Sequence, residues 1–392
     1  MATVASAELS ADILAGNVRK SISEETYNRL LAETFTELVS KNSGFKTAVF
    51  DPQKHLAYYA QGPLQQHKYE NTRRITMEEL GLTNKLQISP IGVLDPFPLF
   101  TDAAIDIMRA EILQKDAFLK HARISYNLTL SLDCVLRGYV KEKDEVLTPF
   151  TYAAWTHPKT MELVLTMAGV DLQIVMDYEI AHVNIGITDD ATAAAQRLEH
   201  AMAQREQLFS GENPEDAEIP AIVGWHHDSY PFVCVLMLSD TSDMIGGETY
   251  LRMGDGKLAR VSGPQKGSAA VLQGRLIKHL APKPLGAAER ITMVTSYRAK
   301  NPQLHDGSVL GTVKPEINYG SKYSEFYRQW VEYRAEVMKA RLDALTSSMK
   351  EDACFNKVAT TSALREIEDY LKHTYKEMEM TSEEWAEVAR KG

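Results

Sequence analysis

The stretch GWHHDSYPFV (residues 224–233) sets two histidines and an aspartate between a tryptophan and a tyrosine. On extended backbone successive side chains alternate, so His226 and Asp228 share one face and His227 turns to the other. Among eleven histidines, roughly one His-x-Asp is expected by chance. Alone, the pair is a polar turn. The residues downstream decide its meaning.

Beyond it, GSAAVLQGRLIKHLAP (267–282) carries His279 on a predicted strand, and Arg290 opens another in ERITMVTSYR (289–298). Two imidazoles and one carboxylate on one side of a metal make a facial triad, the arrangement of non-haem Fe(II) oxygenases. Three coordination positions then stay open, two for a bidentate keto acid and one for O2. The far carboxylate of such an acid needs a fixed cation, and a guanidinium offers it a two-pronged hydrogen bond. Arg290 and Arg298 both lie on one face of their run, but eight residues of strand put them roughly 26 Å apart. Arg290, nearer His279 and at the strand entrance, is the candidate. Arg298 reads as a solvated strand end.

In order, His226-x-Asp228, GGET (246–249), KGSAAVL (266–272), His279 and Arg290-x-Thr292 resemble the Fe(II)/2-oxoglutarate-dependent dioxygenases. The resemblance covers roughly residues 172–300. It implies a double-stranded β-helix, a cupin-like jelly roll, with Fe(II) held by His226, Asp228 and His279. It further implies 2-oxoglutarate as co-substrate, its C5 carboxylate on Arg290 with help from Thr292, and O2 as oxidant. The reaction implied is oxidation of an unactivated C–H bond of a small molecule, ending in hydroxylation, desaturation or ring closure. The chain is similar to fungal members that act on amino acids or secondary metabolites, where ring closure includes aziridine formation. Two rival readings remain. One is an O2-only non-haem iron oxidase or other cupin-like metalloenzyme; the other is a non-catalytic jelly-roll binding protein, against which the intact triad argues.

Other residues are weaker candidates. In YEIAHVNIGI, Tyr178, His182 and Asn184 share a face; Asn184 is assigned to 2-oxoglutarate and Tyr178 to substrate, against the plainer reading of a polar pair in a sheet. Arg275 shares the face of His279 and would meet an acidic substrate group. His227 reads as structural, and Trp225 and Tyr230 as wall or core.

Composition sets the outer bounds. A chain of 392 residues, 44% apolar and 24% charged, can bury a sizeable core. A net charge of -10 gives no general attraction to a nucleic-acid backbone. Cys134, Cys234 and Cys354 are too scattered for a disulfide framework and suit a reducing compartment. No secretory signal or apolar span is evident, so a cytoplasmic protein is expected and the acceptor-like Asn127-Leu-Thr129 should stay unmodified.

The expected architecture is α+β, a jelly-roll core between helical flanks. Residues 1–170 read as a mostly helical region, 171–300 as the core and 301–392 as a helical end. Helices are predicted from Ser21, over 102–121, over 158–168, through TAAAQRLEHAMAQREQLF (192–209) and twice beyond 320. LQIVMDYEIAHVNIGI (172–187) is strand-like but too long to run straight. The face holding Tyr323, Phe326, Tyr327, Trp330 and Tyr333 reads as a packing surface, with a lid over the barrel or a homodimer contact as other uses.

Overall fold

The computed structural model describes residues 24–40, 48–126, 132–143, 145–210, 221–282, 284–317, 321–351 and 354–391. Asn127-Leu-Thr129 lies outside them. The described chain mixes helices with antiparallel sheets. Sixteen strands are seen among the described residues: β1 Arg74–Thr76, β2 Ile91–Leu94, β3 Phe97–Pro98, β4 Ala122–Tyr126, β5 Leu132–Leu136, β6 Lys141–Glu142, β7 Glu145–Val146 and β8 Leu172–Ile174. The remainder are β9 His182–Ile187, β10 Ala221–His226, β11 Phe232–Met237, β12 Thr249–Arg252, β13 Leu258–Val261, β14 Ser268–Leu272, β15 His279–Pro282 and β16 Glu289–Ala299.

The large sheet runs β1-β2-β14-β11-β16-β9-β5-β4, with β3 beside β14 and β8 beside β16. The small sheet runs β10-β15-β12-β13, and β6-β7 is a separate hairpin. At the centre, β11 and β16 pair from Phe232↔Tyr297 to Met237↔Thr292 without a bulge. Period-two alternation then separates two faces. Phe232, Cys234 and Leu236, with Ile291, Met293 and Tyr297, enter the main core. Val233, Val235 and Met237, with Arg290, Thr292 and Val294, face a cavity that the small sheet closes from the other side.

Helices Asp102–Ile112, Pro149–Thr156 and Pro158–Ala168 supply the other half of that core. Trp155, fully buried, packs edge-on against Phe100 at 5.6 Å and directs its Nε1 to the Met293 sulfur. Burying an aromatic of this size contributes a few kcal/mol.

Several expectations are revised. The helix predicted over 102–121 is two helices, Asp102–Ile112 and Lys115–His121. Leu113 leaves helical geometry as the cap of the first, and Gln114 is extended, which carries Phe118 into the core. The run 172–187 divides into β8, a tight turn at Asp177–Glu179 and β9, bent where Ala181 takes a positive φ of 57°. The region before residue 170 carries strands besides its helices. It supplies β1, β2 and β3 at one side of the large sheet and β4 and β5 at the other. These strands are two to five residues long, too short to give a periodic signal.

The helices Tyr323–Glu351 and Lys357–Lys376 form a second core, where Phe326, Trp330 and Tyr333 pack with Tyr178, Tyr230 and Tyr370. The aromatic face is therefore inward packing. Among the described residues no helix is long and apolar enough to cross a membrane.

His121 ends its helix with both ring nitrogens buried and, among the described residues, without hydrogen-bond partners. Burial pushes its pKa from 6.5 down to about 3, and nearby Lys322 adds to the effect. The unfolded chain therefore binds this proton first. Stability present above pH 6.5 is lost as pH falls toward about 3, by up to about 1.4 kcal/mol per pH unit. In urea unfolding near pH 7 and near pH 5, the wild type should lose more stability than His121→Leu. Equal losses would contradict this account.

Candidate metal centre

β10 and β15 pair antiparallel with His226 directly opposite His279. Opposed residues in such a pair hold their side chains close on one face, and the two rings sit 4.3 Å apart between centroids. β10 ends at His226, and the chain turns so that Asp228 comes up beside both rings. Its Oδ1 lies 3.6 Å from His226 Nε2 and its Oδ2 lies 3.6 Å from His279 Nε2. One ligand atom from each residue falls within 4.8 Å of the others.

The electrostatics suit a cation. His279 Nδ1 is 2.9 Å from the Ile277 carbonyl oxygen, which holds that nitrogen as the donor and leaves the Nε2 lone pair for a metal. Burial lowers the His279 pKa, partly offset by Asp228, which favours the neutral ring that a metal ligand requires. Burial by itself would raise the Asp228 pKa. The hydrogen bond with His226 and the charges of His279 and His226 outweigh it, so the group stays below the ordinary carboxylate value. Asp228 Oδ2 is buried and accepts no hydrogen bond among the described residues. A buried carboxylate oxygen without a donor is costly unless a cation meets it. His2Asp with open positions is a set suited to Fe(II), so the residues fit the metal that the sequence implies.

These three residues open on the cavity between the sheets, about 380 Å³ in volume. Arg290, Thr292 and Asn184 line the same cavity, brought side by side where Thr292 pairs with Asn184 and Arg290 with Gly186. Among the described residues Arg290 makes no salt bridge, and its Nε has no hydrogen-bond partner. Burial lowers its pKa to about 10, which leaves it charged at neutral pH. Much of the remaining wall is aliphatic, including Val233, Val235, Leu272 and Val294.

Two expected site residues lie elsewhere. Tyr178 sits in the Asp177–Glu179 turn, not on a strand, and its hydroxyl accepts the Lys322 backbone N–H at 2.6 Å. It belongs to the second core because the bend at Ala181 breaks its alternation with Asn184. Arg275 does not share a strand face with His279, because residues 274–277 form a turn before β15. Its Nε donates to the Gly307 carbonyl at 3.0 Å. Arg298 is no solvated end: it is buried, with its guanidinium 5.1 Å from the Tyr333 ring centroid. His227 is exposed. Trp225 lies under the Arg252 guanidinium at 4.7 Å, and Tyr230 is buried with its hydroxyl donating to Glu179.

One residue escaped sequence reasoning. Gly274 accepts the Asp228 N–H at 2.9 Å, and a methyl group on it would stand 1.7 Å from Asp228 Oδ2. The absence of a side chain makes the seat for the ligand carboxylate. The glycine of LQGRL was visible, but only its spatial neighbour explains it.

No protein-family model matches the chain, and no curated protein matches it. Solved structures similar to it include a 2OG-Fe(II) oxygenase family oxidoreductase from Burkholderia pseudomallei, 14% identical, spanning 42% of this chain and 68% of the other at a TM-score of 0.28. A Pseudomonas putida prolyl-4-hydroxylase is 14% identical over 51% of this chain and 89% of its own, at 0.27. The non-heme alpha-ketoglutarate-dependent epimerase of nogalamycin biosynthesis is 15% identical over 57% and 82%, at 0.35. The functional reading rests on the site itself.

Gly274→Ala should drive the Asp228 carboxylate from its seat and weaken Fe(II) or Mn(II) binding by roughly 10-fold or more, with the sheets intact by circular dichroism. Unchanged metal affinity in a folded Gly274→Ala protein would contradict the geometry.

Proposed function

We propose that the chain is an Fe(II)- and 2-oxoglutarate-dependent oxygenase acting on a small molecule. The observation that carries this reading is Arg290: a buried, charged guanidinium without a counter-ion among the described residues, lining the same cavity as a His-Asp-His triad. Leaving a buried charge unpaired costs several kcal/mol, so an anion that enters the cavity is the natural partner. This favours a keto-acid co-substrate over an O2-only oxidase, in which Arg290 would have no partner but the substrate itself.

His226, Asp228 and His279 would hold the metal from one side, leaving the cavity side open. When bound, iron(II) with 2-oxoglutarate and O2 supplies an oxidant for unactivated C–H bonds, with succinate and CO2 as co-products. Arg290 and Thr292 would take the distal carboxylate, with Asn184 beside them as a further hydrogen-bonding group. The aliphatic wall excludes water and can orient a hydrocarbon portion of the substrate. Two sheets facing each other across the cavity suit a jelly roll. A cavity of about 380 Å³ suits a substrate the size of an amino acid or a small secondary metabolite. Hydroxylation, desaturation and ring closure all remain outcomes of the same site.

Calorimetric titration of 2-oxoglutarate into the Mn(II)-loaded protein tests the reading without turnover. The wild type should bind, and Arg290→Gln should weaken binding by roughly 100-fold, since losing a charge-assisted pair costs about 2–3 kcal/mol. Arg290→Lys should fall between, keeping the charge but losing the fork. Equal 2-oxoglutarate affinity in wild type and Arg290→Gln would sink the assignment.

A further inference from the structure

Asp228 is the ligand with the least local support. His226 and His279 are fixed in paired strands, and His279 is also held through Nδ1. Asp228 lies beyond the end of β10 in a turn, and its Oδ2 accepts no hydrogen bond that would set its orientation. Its backbone N–H goes to Gly274, and its carboxylate leans on that same glycine. Something outside the strand ladder has to hold this turn against Gly274.

We infer that the segment 306–312 is that support, a strap that positions Asp228 through Arg275 and Thr312. The inference rests on the metal-centre reading proposed above. The strap grips both walls of the ligand. On one side, Ser229 follows Asp228 directly; its carbonyl accepts the Val309 N–H at 2.8 Å, and its hydroxyl is 2.6 Å from that of Thr312. On the other side, Arg275 follows Gly274 directly and donates Nε to the Gly307 carbonyl at 3.0 Å. A shift of the strap therefore moves the turn holding Asp228 and the seat under its carboxylate together.

The strap is itself anchored in the C-terminal helices. Asp306 receives the Ser308 hydroxyl at 2.6 Å, the Tyr370 hydroxyl at 2.6 Å and Arg334 Nη1 at 3.2 Å. Arg334 is fully buried, so this contact is shielded from water. The Leu310 N–H donates to Glu377 at 2.7 Å, and the Ser308 carbonyl is 2.8 Å from His373 Nε2. Thr312 is exposed, outside the buried core. Arg275 and Thr312 are positioning residues: neither lines the cavity, and both act through Asp228.

The test uses Co(II) as the probe, titrated into the full metal-free chain and read by its visible d–d spectrum and by calorimetry. Thr312→Val and Arg275→Met should each raise the Co(II) dissociation constant about 10-fold, the low end of the cost of losing a group that supports a metal ligand. Both should also change the spectrum, because the carboxylate geometry changes. Thr312→Ser, which keeps the hydroxyl, should restore affinity and spectrum. The metal-free melting temperature of Thr312→Val should match that of the wild type. Wild-type affinity and spectrum in a folded Thr312→Val protein would overturn the strap while leaving the metal centre intact. A wild-type chain that binds no Co(II) would overturn the metal-centre reading, and the strap with it.

Discussion

The antiparallel pairing of β10 with β15 sets the imidazoles of His226 and His279 across from each other, and the site is built on that register. A slip of one residue between the two strands would put the rings on opposite faces of the small sheet. The register is held from two directions. β12 pairs β15 on its other edge, with Leu251 opposite His279 and buried in a small apolar core. β10 carries irregular pairing between Val223 and His226, which re-aims the strand end toward Asp228. The large sheet holds the facing wall through the unbroken ladder of β11 and β16.

Two ends of one cavity are polarised against each other. Among the described residues, the triad end carries a carboxylate oxygen without a donor, and the Arg290 end carries a guanidinium Nε without an acceptor. Apolar side chains line much of the space between them, so water screens neither charge well. Such an arrangement is unfavourable in the empty protein and favourable once a cation and a dianion span it. On the proposed reading, that is the physical sense in which the fold is organised for a metal and a small dicarboxylate. Through the strap at 306–312, the C-terminal helices, far along the chain, bear on the same centre.

The site was legible in the sequence where side-chain type and order were enough. His226, Asp228, His279 and Arg290 stand out because few residue types bind a metal or a carboxylate, and their order along the strands is informative. Asn184 was read through strand alternation, which survives in β9, and Thr292 through the family resemblance; both line the cavity. Tyr178 and Arg275 were not, because alternation was carried across a bend at Ala181 and a turn at 274–277. Gly274 and Thr312 could not have been found. Their roles come from contacts between segments some 45 to 85 residues apart, and nothing local in the sequence marks them. The β core was visible as Gly-punctuated apolar runs. The strands that the N-terminal region lends to the large sheet were too short to see.

The most direct test is a visible spectrum. Fe(II) and then 2-oxoglutarate would be added to the wild-type protein without oxygen. If His226, Asp228 and His279 hold iron with open positions toward Arg290, a metal-to-ligand charge-transfer band of the chelate should appear and saturate with 2-oxoglutarate. Iron binding without such a band would contradict the co-substrate claim. Absence of iron binding would reduce residues 224–233 to a polar turn.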